Sequence, residues 1–138
     1  MGDARAFDLI VIGGGSAGLA GALRAAGHGA RVAMFEPAAL GGTCVNVGCV
    51  PKKAMWLAAD LAERGALAEA LGFGRAALPA DWDKLLARRA AYIERIHGIY
   101  RERLAKAGIV LVPQYARLLD AHAVQAADGG RFSAPHVL

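Results

Sequence analysis

The sequence has few of the features that mark membrane, secreted or nucleic-acid-binding proteins. Its longest uncharged run, residues 9–23, is interrupted by glycines and falls short of the roughly 18 to 20 apolar residues that span a bilayer. Asp3 and Asp8 stand where a signal peptide would carry positive charge. Lys and Arg form no dense run, and the net charge of +4 suits small anionic ligands without indicating nucleic acid. We therefore predict a cytoplasmic protein that binds neither membrane nor nucleic acid.

Cysteine is scarce, because Cys44 and Cys49 are the only two in 138 residues. In the cytosol a close cysteine pair is more often catalytic or metal-binding than structural. A zinc site needs four ligands at defined spacings, and no histidine lies near enough in sequence to complete one, so no metal is predicted. Residues five apart point about 140° away from each other in a regular helix, so a disulfide needs irregular backbone here. Asn46 and Gly48 can supply it. Two buried thiols or half a zinc site stay as alternatives, and the flanking glycines favour a redox pair.

The N-terminal part of the chain has the pattern of a nucleotide-binding βαβ unit. Residues 7–12 predict a buried parallel strand, residues 16–27 an amphipathic helix, and residues 30–36 a second strand that Pro37 ends. The fold class is therefore α/β, with a parallel sheet built on this unit.

A glycine fingerprint lies between the first strand and the helix. Gly13 permits the tight turn, Gly15 removes a side chain where a pyrophosphate approaches, and Gly18 lets the helix pack closely on the strand. Glu36, at the end of the second strand, is suited to bind ribose hydroxyls. The alternative is a purely structural turn with Glu36 solvated, but the strand, helix and acid together favour a dinucleotide site.

The rest of the chain predicts two long helices followed by short strands. The first helix carries Pro51 in its opening turn and ends at Gly72, and Asp81 caps the second, which Gly108 closes. Val137 and Leu138 are interpreted as the opening of another apolar strand, which predicts the front part of a longer protein. The predicted segments are residues 52–71 (helix), 78–80 (connector), 82–107 (helix), 109–112 (strand), and 116–126 with 131–138 as antiparallel strands.

Two sets of residues allow both a structural and a functional interpretation. Lys52 and Lys53 could be an ordinary solvated helix start, but cations oppose the dipole there, and holding a thiolate or an electron-rich ring would explain them. Tyr92 and Tyr100 are spaced for one helix face. Core packing explains that spacing at least as well as a binding role does.

The cysteine segment and the glycine turn together resemble a known family. Residues 41–53 read Gly-Gly-Thr-Cys-Val-Asn-Val-Gly-Cys-Val-Pro-Lys-Lys and residues 12–18 read Ile-Gly-Gly-Gly-Ser-Ala-Gly. These motifs resemble those of the pyridine nucleotide-disulfide oxidoreductases, over the whole chain. Lys53 and the following Met55-Trp56 are most similar to members that reduce glutathione disulfide. Members acting on dihydrolipoamide or mercuric ion usually have Pro-Ser-Lys here, and those acting on trypanothione generally lack the Met-Trp pair.

The resemblance implies FAD bound in an extended pose. Its phosphates would lie over the turn from Gly13 to Gly18, with Ser16 nearby, and Glu36 would hold the adenosine ribose. Thr43 would contact the flavin side, and backbone near Ala116 would contact the adenine.

The resemblance also implies a route for electrons. NADPH would reduce the flavin, and Cys49, nearest the ring, would receive the electrons by way of its disulfide with Cys44. Cys44 would then attack glutathione disulfide, while Lys52 would lie by the flavin N5. Tyr100 and Ser16 would line the glutathione pocket.

Two departures from the family pattern affect these expectations. Leu23, with Arg24 beside it, stands where many relatives carry an arginine for a glutathione carboxylate. Residues 1–138 would be the N-terminal part of the FAD-binding domain with the redox-disulfide segment, lacking the NADPH-binding and dimer-interface domains. The intact protein would be a homodimer. None of the four histidines matches the family's proton donor, so we expect the chain alone to be catalytically incomplete, or a non-catalytic FAD-binding fragment.

Overall fold

The computed structural model describes residues 5–74 and 79–138, and the connector predicted at residues 78–80 lies partly outside them. The chain divides into a first unit, Met1–Gly42 with His97–Leu138, and a second unit, Thr43–Ile96. Among the described residues, no helix combines the length and apolar character needed to cross a membrane. In chain order the elements are β1 (Arg5–Ala6), β2 (Leu9–Ile12), α1 (Ser16–Gly27), β3 (Val32–Phe35), α2 (Gly42–Asn46), α3 (Cys49–Ala70), α4 (Trp82–Lys106), β4 (Val110–Val112), β5 (Ala116–Asp120), β6 (Ala123–Ala126), β7 (Arg131–Ser133) and β8 (His136–Val137).

A parallel sheet in the order β4-β3-β2-β8 is the centre of the first unit. The predicted βαβ unit is confirmed, because α1 connects β2 to its parallel neighbour β3. All four residues of β3 are buried, as expected for a strand covered on both faces. The α/β fold class is therefore confirmed.

The two faces of the parallel sheet contact different partners. Val32 and Met34 of β3 join a cluster with Leu19 of α1 and Leu104 of α4. Alternate residues of the same strand, such as Phe35, face the other way into a cluster shared with β6 and β7. This division follows from the two-residue period of a strand.

A second, mixed sheet has the order β1-β7-β6-β5. β6 is antiparallel to both of its neighbours, β5 and β7, whereas β1, which the sequence did not predict, pairs in parallel with β7. Phe132 of β7 packs edge-on against Phe35, with 5.0 Å between ring centroids. This contact joins the mixed sheet to the parallel sheet.

The antiparallel pairing predicted between two arms, residues 116–126 and 131–138, is confirmed for β6 and β7, but each arm contains two strands and not one. The first arm folds back on itself as β5 and β6, where the Asp120 carboxylate accepts the His122 N–H at 2.7 Å and fixes the turn. The second arm is divided between the two sheets, as β7 and β8, on either side of Pro135. Proline lacks the N–H that a continuous ladder would require. The apolar strand predicted at Val137 is confirmed, since β8 pairs in parallel with β2.

The second unit contains most of α2, all of α3 and the first part of α4, and the rest of α4 from His97 belongs to the first unit. α3 begins at Cys49, three residues earlier than predicted, because Gly48 is its N-cap and Pro51 falls within its first turn. The predicted cap of α4 is confirmed, since the Asp81 carboxylate accepts the Lys84 N–H at 2.9 Å. Gly108 has φ +67° just after the end of α4, as predicted for a helix terminator.

An ion pair joins the beginnings of β2 and β3 and makes stability depend on pH. The Asp8 carboxylate accepts the Arg31 backbone N–H at 2.7 Å and lies 3.5 Å from the Arg31 Nε. The backbone hydrogen bond from Arg31 is the main cause that holds the Asp8 pKa below its ordinary value of 3.8. A carboxyl group whose pKa is lower in the folded than in the unfolded protein stabilises the fold at pH values above its pKa in the unfolded protein. This contribution disappears as the pH falls through its pKa in the folded protein.

We therefore expect Asp8→Asn to lower the free energy of unfolding at neutral pH. Asparagine keeps an acceptor for the Arg31 N–H but loses the charge. The difference between the two proteins should shrink as pH is lowered below about 3.8, where the parent carboxylate also becomes neutral. Denaturant unfolding of both proteins between pH 7 and pH 2 measures this. A difference that stayed constant over that range would contradict the charge effect.

Candidate functional site

The glycine turn after β2 holds β2 and α1 in close contact. Gly13 has φ +110°, which favours glycine, and its N–H donates to the Phe35 carbonyl at 2.8 Å. A Cβ added at Gly18 would lie 2.0 Å from the Gly13 carbonyl oxygen. Both glycines therefore have the structural roles that the fingerprint predicted.

Glu36 holds this turn from the next strand. Its Oε2 accepts the Gly14 N–H at 2.8 Å, and its Oε1 accepts the Ala38 N–H at 2.9 Å. The carboxylate is thus not merely solvated, and no local pattern predicted its backbone partners. An ionised carboxylate has about four lone-pair sites, so each oxygen keeps capacity for a ribose hydroxyl.

A second glycine pair lies against the turn. Gly41 forms a parallel bridge with Gly15, and its N–H donates to the Gly14 carbonyl at 2.7 Å. Gly42 has φ +58°, and a Cβ there would lie 2.9 Å from the Gly15 Cα. A Cβ on Gly15 itself would have its nearest protein neighbour at 4.0 Å, so protein packing does not require glycine there. Room for a ligand explains Gly15 better, which fits a pyrophosphate.

The start of α1 offers donors to an anion. Ser16 is its exposed first residue, and the first turn holds no acidic side chain. In the described structure no side chain caps this terminus. The first N–H groups of any helix lack intrahelical acceptors, so here they suit a phosphate.

The site extends along the edge of the parallel sheet at which β2, β3 and β4 end. The Val112 carbonyl at the end of β4 accepts the Glu36 N–H at 3.1 Å and the Gln114 N–H at 2.8 Å. The chain then enters β5 at Ala116, an edge strand of the mixed sheet. The Tyr115 carbonyl accepts the Ala127 N–H at 3.1 Å. Along an antiparallel strand, the backbone N–H and C=O of one residue face the partner strand and those of the next residue face away from it. Since the Tyr115 carbonyl faces β6, the N–H and C=O of Ala116 point away from β6.

Asp128 fixes the segment before Ala116. Its Oδ2 accepts the Gln114 side-chain N–H at 2.9 Å, and its own N–H donates to the Gln114 side-chain oxygen at 3.1 Å. The bond from Gln114 is the largest cause that lowers the Asp128 pKa, followed by the bond from the Gly130 backbone N–H.

Six of the predicted cofactor-binding residues therefore lie in the first unit: Gly13, Gly15, Ser16, Gly18, Glu36 and Ala116.

The cysteine segment belongs to the second unit, where a glycine separates two helices. Cys44 lies in α2 and Cys49 is the first residue of α3. Gly48, with φ −118° and ψ −109°, is outside helical geometry, so the predicted irregular backbone between the cysteines is confirmed. A Cβ on Gly48 would lie 2.9 Å from the Thr43 carbonyl oxygen and 3.4 Å from the Cys44 Cα. Gly48 therefore lets the start of α3 fold back close to Cys44.

Both cysteines are thiols in the described structure, with Cys44 half-buried and Cys49 exposed. A disulfide between them stays a prediction. Thr43 is exposed, and its carbonyl accepts the Val47 N–H at 3.0 Å. Lys52 is exposed in the first turn of α3. Within the described residues, no three His, Cys, Asp or Glu side chains group closely enough to hold a metal ion.

Tyr100 and Leu23 lie in the first unit, against the helix-side core. Both are partly buried and pack against the cluster that contains Leu19 and Leu104. The packing interpretation of Tyr100 is therefore supported, and its contact with a substrate stays a prediction. Arg24 is exposed in the last turn of α1, where a cation complements the helix dipole.

Together, the turn after β2, the acid at the end of β3 and the anion-facing start of α1 define a dinucleotide-binding α/β protein. A sequence comparison identifies the family. The chain belongs to the pyridine nucleotide-disulphide oxidoreductases, whose family pattern matches residues 7–138.

Three curated relatives are glutathione reductases of yeasts. The protein of Yarrowia lipolytica is 50% identical over 116 residues, which are 81% of this chain and 25% of the relative. That of Schizosaccharomyces pombe is 45% identical over 97% of this chain and 30% of the relative. That of Debaryomyces hansenii is 41% identical over 86% of this chain and 26% of the relative. The chain thus spans between a quarter and a third of the length of these relatives.

Gly18 and Gly27 provide a matched test of the turn, because both lie in α1. A Cβ at Gly18 overlaps the Gly13 carbonyl oxygen, whereas one at Gly27 meets nothing within 4 Å. We expect Gly18→Ala to destabilise the protein by about 1–3 kcal/mol or more. Gly27→Ala should be neutral or stabilise by up to about 1 kcal/mol. Denaturant unfolding measures both, and equal effects would contradict the close contact at the turn.

Gly48 and Gly98 provide a similar pair for the cysteine segment. Gly48→Ala must displace the Thr43 carbonyl, whereas Gly98 in α4 has open space around its Cα. We expect Gly48→Ala to shift the equilibrium between dithiol and disulfide toward the dithiol, because disulfides tolerate little change in the separation of their Cα atoms. Thiol titration in glutathione redox buffers measures this. Gly98→Ala should match the parent, and a Gly48→Ala protein that also matched it would refute the role of the glycine.

Proposed function

We propose that this chain is the FAD-binding and redox-disulfide part of an NADPH-dependent flavoprotein that reduces glutathione disulfide. The observation that carries the proposal is the Gly48 break, which separates two helices and brings the start of α3 back toward Cys44. Membership in the pyridine nucleotide-disulphide oxidoreductase family supports it.

The first unit has the features that an extended FAD requires. Its pyrophosphate fits the turn from Gly13 to Gly18, where Gly15 leaves open space and Ser16 begins α1. Glu36 has the spare acceptor capacity for the adenosine ribose. The outward amide of Ala116 presents one donor and one acceptor. Adenine offers a matching acceptor and donor on its edges.

The cysteines would carry the thiol chemistry. When bound, FAD would supply two electrons from NADPH to the Cys44–Cys49 disulfide. The Cys44 thiolate then attacks glutathione disulfide, forms a mixed disulfide and releases one glutathione. The Cys49 thiolate attacks the Cys44 sulfur, restores the protein disulfide and releases the second. The hydride from NADPH brings both electrons and one proton, and one further proton from solvent completes the balance, so each glutathione disulfide gives two glutathione molecules.

We place Thr43 along the flavin and Lys52 near its N5, where a cation would stabilise the reduced ring. Lys52 is exposed at a helix start, and its charge opposes the helix dipole there, so it needs a compensating anion or electron-rich group. A neighbouring thiolate or reduced ring meets that need.

Glutathione disulfide is the substrate we favour. The three curated relatives are all named glutathione reductase, and Lys53 with Met55-Trp56 agrees with that branch. Tyr100 and Ser16 are the residues we assign to its pocket. Leucine at position 23 has no charge with which to bind a glutathione carboxylate, so another disulfide or mercuric ion stays the second candidate substrate.

The complete reaction needs more than these residues. The curated relatives are three to four times longer than the segments they share with this chain. We propose that residues 1–138 form the N-terminal part of the FAD-binding domain. The NADPH-binding domain, the interface domain and a second subunit would complete a cytoplasmic homodimer.

Cysteine variants with and without FAD test the proposal. In Cys44→Ser only Cys49 remains, and in Cys49→Ser only Cys44. Without FAD, both variants should gain a glutathione adduct from glutathione disulfide, because neither thiol is fully buried. With FAD, we expect Cys44→Ser to react at least tenfold more slowly, since the flavin would cover Cys49, while Cys49→Ser keeps its rate. Mass spectrometry of timed samples follows the adduct.

The parent chain provides the reference. Reduced parent should convert to the intramolecular disulfide and release two glutathione molecules. NADPH added to the FAD-loaded chain with glutathione disulfide should not be consumed, because the chain alone lacks the hydride-donor site. FAD that protected neither cysteine would refute the flavin–thiol arrangement. Consumption of NADPH would refute the incompleteness.

A further inference from the structure

A cavity of about 650 Å³ lies at the amino edge of the parallel sheet, which is the edge away from the glycine turn. The beginnings of β2, β3 and β4 and the ends of α1 and α4 surround it, all within the first unit. Its volume is in the range of small-molecule sites. Nine of its eleven lining residues are Ala, Gly, Val or Phe, so most of its surface is apolar.

Two helix terminators leave this cavity open. Gly29 follows the C-cap of α1 with φ +87°, and Gly108 follows α4 with φ +67°. A Cβ at either position would meet nothing within 4 Å. Both helices therefore end in left-handed turns that carry no side chain, and apolar surface stays uncovered beside them. Val110, at the start of the edge strand β4, is 43% exposed there.

Among the described residues that line the cavity, only Arg5 and Arg31 carry charge. The Arg31 Nε lies 3.5 Å from the Asp8 carboxylate, and this contact uses one of the five N–H donors of the guanidinium. The Arg5 Cζ lies 5.5 Å from the centroid of the Phe132 ring. A cation–π contact of this kind uses no N–H donor. Both arginines therefore have donors left for an anion in the cavity.

The surroundings favour an anion with a single charge. Asp8 offsets part of the charge of Arg31, and the last turns of α1 and α4 present the negative ends of two helix dipoles. These negative groups repel a doubly charged phosphate more strongly than a carboxylate. A carboxylate also matches the planar fork of a guanidinium through two parallel hydrogen bonds.

We propose that this cavity binds a small carboxylate with an apolar body, such as an aryl carboxylate. Arg5 and Arg31 hold the charged group, and the apolar lining contacts the rest of the ligand. The site is separate from the Gly13 turn, because the four residues of β3 place about 10 Å between the two edges of the sheet. The inference goes beyond the proposed function and does not depend on it.

An aryl carboxylate and its amide test the role of charge. The probe is para-trifluoromethylbenzoate, and para-trifluoromethylbenzamide is its uncharged control of nearly the same size. Fluorine NMR titration of the full chain measures the affinity of each. We expect the benzoate to bind at least tenfold more tightly than the benzamide, because only the benzoate accepts charge-assisted hydrogen bonds from both arginines.

Ala107 provides a matched pair of variants that test the place of binding. It is exposed, lines the cavity and lies just after α4. Glu and Gln are nearly equal in size, so Ala107→Glu should bind the benzoate about tenfold more weakly than Ala107→Gln through charge alone. Arg5→Gln and Arg31→Gln should each weaken binding about tenfold. Arg117→Gln removes an exposed arginine outside the cavity and should match the parent.

Several outcomes would overturn the inference. Equal affinities for benzoate and benzamide would refute the role of the arginines, and a folded parent that bound neither would refute the site. Equal affinities of the two Ala107 variants, or a loss in Arg117→Gln as large as in Arg5→Gln, would place the benzoate elsewhere. Circular dichroism of each variant checks that the fold is kept. None of these outcomes bears on the proposed function, because the cavity includes no residue of the glycine turn or the cysteine segment.

Discussion

The close approach of backbone to backbone at the end of β2 is the constraint on which the first unit depends. The Gly13 carbonyl lies where a Cβ of Gly18 would be, and the Gly15 Cα lies within 2.9 Å of where a Cβ of Gly42 would be. No other residue type permits these contacts. These contacts let α1 pack closely on the sheet, and the first N–H groups of α1 have no acceptor within the helix. The geometry that packs the core therefore also provides donors for an anion.

Glu36 connects this turn to the rest of the carboxyl edge. Its side chain holds Gly14 and Ala38, while its own N–H reaches the end of β4 at Val112. One residue thus sets the spacing between the phosphate turn and the segment that enters β5. A carboxylate used in this way is both a structural clamp and an available acceptor, which explains why an acid rather than an amide suits the position.

In the second unit a single glycine has the comparable role. Without the break at Gly48, Cys44 and Cys49 would follow one regular helix and face different directions. The break makes α2 end before Cys49 and lets α3 begin at it. Redox chemistry between two thiols requires that they lie near each other and that they are accessible. The break at Gly48 meets the first requirement, and a half-buried Cys44 with an exposed Cys49 meets the second.

The sequence by itself determined the features that depend on neighbours in the chain. The bounds of α1, the glycine turn, the cap at Asp81, the terminator at Gly108 and the break between the cysteines all follow from local backbone preferences. Only the tertiary structure decided which strands pair. It divided residues 131–138 between two sheets, gave β1 a parallel partner, and turned Glu36 toward Gly14. These outcomes depend on hydrogen bonds between residues far apart in the chain, which no local pattern specifies.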